Sequence, residues 1–146
     1  MNDQTVASQD MQQADSTIFT LLHAAHALED KLEARLASVG LSTPKFSVLS
    51  ALVSSDNPLS LSELAARLSC VRSNMTQLVD RLEADALVRR VDDPADRRAV
   101  KAFITELGRE RQAAGATELA RLHEEFAANV GASDRAALHR MLSALR

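Results

Sequence analysis

The sequence contains no tryptophan, no tyrosine and only four phenylalanines among its 146 residues. A hydrophobic core must therefore be built mainly from leucine, alanine and valine, and the length suits one folding unit. A single cysteine, Cys70, excludes an internal disulfide framework and is typical of a reducing compartment. No apolar run approaches the roughly 20 residues of a membrane-spanning helix. We therefore predict a cytoplasmic protein that makes no membrane contact.

The first 15 residues, MNDQTVASQDMQQAD, lack both the basic start and the apolar stretch of a secretory signal. We expect them to form a disordered polar arm. The formal net charge of −3 does not point to nucleic acid, and residues 61–104 hold 8 basic and 7 acidic side chains.

Three helices are predicted in the first half of the chain. Apolar residues recur every three or four positions from Ser16 to Ala37, which indicates one long helix that ends before a glycine. Pro44, behind the possible caps Ser42 and Thr43, favours the start of a second helix. Ser60 and Glu63 have capping-box spacing, which predicts a short third helix.

A fourth helix is predicted over RSNMTQLVDRLEAD, because Met75, Leu78, Val79 and Leu82 form one apolar stripe. The third and fourth helices make a helix-turn-helix candidate. Residues 87–91 and 99–105 then read as two short strands, and the charged segment DDPADRR between them is the tip of their hairpin. This order is that of a winged helix, with DDPADRR as the wing.

Two further helices are predicted after the hairpin. The first covers about 106–130 despite Gly108 and Gly115, each of which costs about 1 kcal/mol relative to alanine. Ser133 is predicted to cap the second. Amphipathic helices at both ends of the chain need a covering surface, so we infer a homodimer. The predicted fold class is mainly α with a small β-hairpin wing: one domain over 16–146, with a winged-helix lobe (42–105) flanked by dimerisation helices (16–38 and 106–146).

The sequence resembles the MarR family of bacterial transcription regulators. The segments LVDRLE, DPADRR and ITELG occur in the family's order and spacing, and LSTPKFSVLSAL and the flanking helices extend the likeness over residues 16–145. The resemblance implies a homodimer that binds a pseudo-palindromic DNA operator, usually as a repressor. It also implies release by a small-molecule effector, often aromatic or phenolic, or in some members by thiol oxidation.

Two positions depart from the family pattern. Ala86 stands where the family commonly has glycine, so a positive φ there would cost about 1 kcal/mol. Val71 stands where relatives often have a hydroxyl cap, which shifts the expected cap to Ser69.

The fourth helix is the expected recognition helix, whose N-terminal part faces base edges in the major groove. Arg72 and Gln77 are the candidates for base contacts, since arginine pairs with guanine and glutamine with adenine. The other expected DNA contacts on this helix are Ser73, Asn74 and Thr76, with Arg81 placed for phosphate. A merely solvated helix face is the alternative.

For the wing, Arg97 is expected to enter a minor groove, which attracts arginine by its negative potential. The resemblance implies that Arg98 folds back to pair with an acid, either Asp80 or Asp96. Which arginine points to DNA stays open, as does the alternative that DDPADRR is only a soluble turn.

The sequence contains candidates for three other kinds of site. Cys70, just before the recognition helix, is a minority candidate for redox sensing, although a single cysteine is more often a small apolar residue. His23 and His26 are too few for a metal site, and no cofactor is expected. They are placed instead, with Leu22 and Phe46, in an effector crevice.

Two other function classes compete with a DNA-binding regulator. A winged-helix adaptor without DNA binding is supported by the near-neutral charge of residues 61–104. An enzyme is not expected, because the sequence has no phosphate loop, activated nucleophile or metal cluster.

Overall fold

The computed structural model describes residues 3–55, 57–69, 71–93 and 100–144, with the backbone alone described for residues 3–16 and 72. This part of the chain forms six helices and a three-stranded antiparallel sheet, which confirms the predicted fold class. The elements are α1 (Asp3–Ala37), α2 (Thr43–Val53), β1 (Leu59–Ser60), α3 (Leu61–Arg67), α4 (Arg72–Ala84), β2 (Val88–Asp92), β3 (Val100–Ile104), α5 (Glu106–Asn129) and α6 (Ala132–Ser143).

The first helix is much longer than predicted. It begins at Asp3, so the expectation of a disordered arm over the first 15 residues is wrong for the described residues from Asp3 onward. Residues 3–37 contain neither glycine nor proline. Once the amphipathic stretch has formed helix, extension adds one backbone hydrogen bond per residue and nothing in this sequence interrupts it.

The starts of the helices match the predicted caps only in part. The capping box of Ser60 and Glu63 at α3 is confirmed, with both reciprocal bonds present. Ser42 precedes α2 but makes no side-chain cap bond. Glu33 of α1 instead accepts hydrogen bonds from the backbone N–H and the hydroxyl of Thr43, at 2.8 and 2.6 Å. Ser133 is wrong as a cap, because α6 begins one residue earlier.

The sheet has the order β1-β3-β2. The predicted hairpin is confirmed for the described residues, with Val88 opposite Ile104 and Asp92 opposite Val100. The strand β1 was not predicted, because two residues are too few to show a strand period. Its Leu59 lies opposite Ala102, which anchors the start of α3 to the hairpin.

The core lies in the winged-helix lobe, between α2, α3, α4 and the sheet, and the end of α1 adds Leu36 to it. Its largest fully buried side chains are Leu36, Leu49, Leu64, Met75, Leu82, Val48, Val79 and Val88. The helix α5 packs closely on this lobe through its two glycines. A Cβ on Gly108 would lie 2.1 Å from the carbonyl oxygen of Leu87, and one on Gly115 would lie 2.7 Å from a ring carbon of Phe46. Both glycines lower the helix propensity of α5, but the absence of a Cβ at these positions allows α5 to pack closely on the lobe.

Candidate nucleic-acid interface

The helix α4 has one buried and one exposed face. Met75, Val79 and Leu82 are fully buried against the lobe. The side chains on the other face are exposed, and they include Ser73, Asn74, Thr76, Gln77, Asp80 and Arg81. Five of these six are predicted DNA contacts, and the sixth is Asp80. The backbone of Arg72 begins the helix, so all the predicted residues of α4 lie on this element.

The turn between α3 and α4 differs from the prediction. Val71 is the N-cap residue of α4 and provides no side-chain cap bond. Ser69 is wrong as the cap, because it lies two residues further back with a positive φ of 50°. A hydroxyl that far from the first helical turn is not in the N-cap position that side-chain capping requires.

The wing is described up to Asp93 on one side and from Val100 on the other. Asp96, Arg97 and Arg98 lie outside the described residues, so the roles predicted for them stay predictions. The Asp93 carboxylate lies 2.9 Å from the Lys101 ammonium, so it forms an ion pair across the hairpin.

Arg90 of β2 joins the wing to α4. Its guanidinium forms ion pairs with both Asp80 and Glu83 on α4. Its backbone N–H also donates to Glu83 at 3.0 Å. The pKa of Glu83 is lowered, first by this backbone hydrogen bond and then by the one from the Arg90 side chain. Glu83 is therefore held as a carboxylate, and both acids of α4 are paired with the guanidinium of Arg90.

The sequence prediction missed Arg90 and Glu83. It gave either Asp80 or Asp96 as the partner of Arg98, whereas the described partner of Asp80 is Arg90. A signal was present, because Asp80 and Glu83 are three residues apart and so share one face of a helix. Arginine follows on a strand that returns beside that helix.

The junction between α4 and β2 is strained at one residue. Ala86 has a φ of 58°, which is the conformation for which the sequence predicts strain at this position. The Thr105 hydroxyl donates to the carbonyl oxygen of Ala86 at 2.7 Å, and the Thr105 backbone N–H donates to Leu87 at 3.1 Å. Beside this junction the Arg89 guanidinium lies 4.9 Å from the ring centre of Phe103. These contacts fix the direction in which the wing leaves α4.

A cavity of about 410 Å³ opens between α2 and the end of α3. It is lined by Phe46, Ser47, Ser50, Ala51, Ser54, Arg67 and Leu68. Of the predicted crevice residues only Phe46 borders it. Leu22, His23 and His26 are exposed on α1, about 15–21 Å along the helix from the buried Leu36 where α1 meets the lobe. None of the three borders the cavity beside Phe46, and the His26 Nδ1 atom lies 2.8 Å from the carbonyl oxygen of Leu22 within α1.

The remaining features considered in the sequence are the single cysteine, metal ligands and membrane-spanning helices. Cys70 lies outside the described residues, so its redox role stays a prediction. Within the described ranges, no group of three or more histidine, cysteine, aspartate or glutamate side chains could hold a metal ion. None of the helices in that part of the chain is long and apolar enough to cross a membrane.

These elements define a winged helix-turn-helix protein: α3 and α4 joined by a tight turn, followed by the β2–β3 wing. The model of the MarR family matches residues 39–99, which cover this lobe up to the end of the wing tip. The HTH-type transcriptional regulator TtmR of Methylorubrum extorquens is 38% identical over 101 residues, which are 68% of this chain and 51% of TtmR. The chain spans about half the length of several curated relatives that it matches.

Solved structures agree with this class. The transcriptional repressor CouR, bound to a 23-mer DNA duplex, is 29% identical with a TM-score of 0.77, over 87% of this chain and 89% of CouR. The organohalide-sensing regulator RdhR in its 2,4-dichlorophenol-bound form has a TM-score of 0.81 over 92% of this chain and 79% of RdhR. At 21% identity it supports the fold alone. The winged-helix lobe matches the MarR family, so the predicted resemblance to this family is confirmed. The similar proteins are transcriptional regulators, which agrees with the prediction of a non-enzyme.

Proposed function

We propose that this protein binds a pseudo-palindromic DNA operator as a homodimer and represses transcription. The observation that carries the proposal is the exposed polar face of α4 beside a wing held to it by Arg90. Gln77 and Asn74 have the donor and acceptor groups that read adenine, while Arg81 suits phosphate. The DNA in the structure of the similar protein CouR supports the same use of the lobe.

The acidic residues near this face are compatible with DNA binding. Asp80 and Glu83 would repel phosphates if they stood alone, but each is paired with Arg90. Asp93 is paired with Lys101 in the same way. The near-neutral charge that favoured an adaptor protein is therefore organised so that acids are matched locally. The arginines at positions 81, 97 and 98 are left as the proposed phosphate and minor-groove contacts.

Homodimer formation is supported by the apolar surface of the terminal helices. Ile18 and Phe19 on α1 and Met141 on α6 are 58%, 61% and 61% exposed in the single chain. Full burial of an apolar side chain of this size stabilises a protein by about 1.5–3 kcal/mol relative to leaving it exposed. A second copy would cover both helices and place two α4 helices for two half-sites.

The proposed effector site is the cavity beside Phe46, for an aromatic or phenolic compound. A second cavity of about 270 Å³ shares Ser47 and Leu68 with it and is also lined by Met75 and Leu78 of α4. A molecule that fills this space would press on the buried side of α4 and so favour a different arrangement of the DNA-binding face. The aromatic ligand of RdhR fits this class of effector.

Selection of bound sequences from random double-stranded DNA tests the DNA-binding proposal. We expect a pseudo-palindromic sequence, bound with an affinity that falls steeply with salt. Arg97→Ala should weaken binding and flatten the salt dependence, because one phosphate-neutralising contact is lost. Failure to bind any sequence at low salt would contradict the proposal and favour the adaptor alternative.

The effector proposal is tested by release of the selected operator in a screen of phenols and aromatic acids. Ser50→Leu narrows the cavity and should prevent release without loss of operator affinity. Ser38→Leu, at an exposed serine outside the cavity, is the matched control and should still be released. If Ser50→Leu is released like the parent protein, the effector binds elsewhere. Release by peroxide that Cys70→Ser abolishes would support the redox alternative instead.

A further inference from the structure

Val71 is a large apolar side chain in an unexpected place. It is 62% exposed, and none of the other described hydrophobic side chains of comparable size is more exposed. The three that come nearest, Ile18, Phe19 and Met141, lie on the terminal helices that the proposed dimer would cover. Val71 lies in the winged-helix lobe, directly before α4, so the dimer does not account for it.

Local folding does not favour valine at this position either. Val71 is the N-cap of α4, where serine, threonine, aspartate or asparagine would accept a hydrogen bond from the first helical turn. Its carbonyl oxygen accepts from the backbone N–H groups of Asn74 and Met75, at 3.1 and 3.2 Å, which any residue could provide. The side chain neither caps the helix nor joins the core.

The position of Val71 suggests what its side chain meets. The N-terminal end of the second helix of a helix-turn-helix faces base edges in the major groove. The one apolar group that base pairs present there is the C5-methyl group of thymine. The following exposed residues, Ser73 and Asn74, are polar, so Val71 brings the apolar surface at this end.

We propose that Val71 contacts the C5-methyl group of a thymine in each half-site and selects thymine at that position. This inference rests on the proposed DNA binding and adds a residue that sets its sequence preference. Replacing that thymine by deoxyuridine removes only the methyl group and leaves all hydrogen-bonding groups unchanged.

The test is a deoxyuridine scan of the selected operator, one thymine per half-site at a time, with affinity measured by fluorescence anisotropy. One deoxyuridine position should weaken binding by about fourfold per half-site, the effect of one buried methyl-sized group. Val71→Ser should bind the thymine and the deoxyuridine operators equally. Because serine can cap α4, the same variant should melt at the parent's temperature or about 3 °C above it.

Thr76 is the matched control, since threonine also carries a methyl group on the exposed face of α4. Thr76→Ser should keep the fourfold preference for thymine. Loss of the preference in Thr76→Ser but not in Val71→Ser would overturn the proposal, and so would an operator that is insensitive to deoxyuridine everywhere. If Val71→Ser melts well below the parent, Val71→Asn replaces it, because asparagine removes the apolar contact and can also cap α4, and a retained preference in that variant would also overturn the proposal. Failure to bind any DNA would instead contradict the proposed function.

Discussion

The winged-helix lobe and the terminal helices differ in how completely one chain buries their apolar surface. With the exception of Leu122, the buried hydrophobic residues lie between Leu36 and Ile104. In contrast, none of the described residues of α6 is buried, and α1 exposes Ile18 and Phe19. The lobe therefore has its own core, whereas the terminal helices leave apolar side chains exposed in the single chain. Most of the apolar surface that one chain buries lies in the lobe, and the terminal helices would form the interface of the proposed dimer.

The helix α5 connects the two regions. Its N-terminal half packs on the lobe, where Gly115 lies against Phe46. Its middle is tied to α1, because Glu118, 9% exposed, accepts a hydrogen bond from Arg35 at 3.5 Å and pairs with Arg121. Arg35 also pairs with Glu125. Because one rigid helix makes both sets of contacts, the position of the terminal helices fixes the position of the lobe.

The largest effect is expected where the terminal helices are unpartnered. Ile18→Asp should weaken the homodimer by more than about a hundredfold, because it places an unpaired carboxylate in the proposed interface of both chains. Operator binding should fall with it, while circular dichroism should show that the lobe keeps its helices. Sedimentation velocity measures the assembly.

Ala27→Asp is the control for that experiment. Ala27 is nine residues further along α1, and at about 100° per residue it lies on the opposite side of the helix. Ala27 is exposed, and its replacement by aspartate introduces the same charge as Ile18→Asp. A dimer weakened equally by both changes would indicate that helix charge, and not the apolar face, controls assembly.

The next effect is expected at the contact between α4 and the wing. Arg90→Ala should lower operator affinity by about tenfold or more, since it frees the wing and leaves Asp80 and Glu83 unneutralised beside the phosphates. Because the ion pairs are partly exposed, the melting temperature should change little. Affinity is measured at several salt concentrations together with thermal unfolding.

Arg89→Ala makes the same change in net charge on the neighbouring residue, whose guanidinium lies over Phe103 and not on α4. It should cost less affinity. Adding Asp80→Asn and Glu83→Gln to Arg90→Ala should restore part of the loss. Equal losses in the two arginine variants, with no recovery, would mean that only total charge matters.

Local signals predicted the lobe well. The capping box of Ser60 and Glu63 and the stripe of Met75, Val79 and Leu82 depend on residues within one helix, so spacing alone revealed them. The predictions of hydroxyl caps were less accurate, because a shift of one or two residues in the start of the helix removes the capping hydrogen bond. That is why Ser133 failed.

Contacts between distant parts of the chain were not predictable in this way. The acid that accepts from the start of α2 is Glu33, ten residues away on another helix. The ion pairs of Arg90 depend on how the strand returns beside α4. Several acidic residues are possible partners for a long charged side chain when only the sequence is known. The packing of the helices and strands determines which of them it pairs with.

A smaller effect is expected at the strained residue that connects α4 to the wing. Ala86→Gly should stabilise the protein by about 0.5–1 kcal/mol. Glycine adopts a positive φ without strain, and this gain should exceed the cost of the larger chain entropy that glycine loses on folding. Thermal unfolding should show the gain. Ala120→Gly, on the exposed side of α5, is the control and should destabilise by about 1 kcal/mol. A loss of stability in both variants would show that the backbone at Ala86 is not strained.

The smallest effect concerns the joint between α1 and α2. The hydrogen bond from the Thr43 hydroxyl, and then that from the Thr43 backbone N–H, lower the pKa of Glu33 below its ordinary value of 4.5. A carboxylate with a lowered folded-state pKa contributes stability above its unfolded value and loses it as the pH falls through the folded value. Glu33→Gln should therefore melt below the parent at neutral pH and converge with it below about pH 4.5.

Glu29→Gln changes another exposed carboxylate of α1 and is the control for that pH series. Its melting curve should stay parallel to that of the parent between neutral and acid pH. Convergence in Glu33→Gln alone would locate the acid sensitivity at the contact with Thr43. Curves that stay parallel in both variants would show that this hydrogen bond does not stabilise the fold, and the attachment of α1 to the lobe would then rest on Leu36 and the contacts of α5.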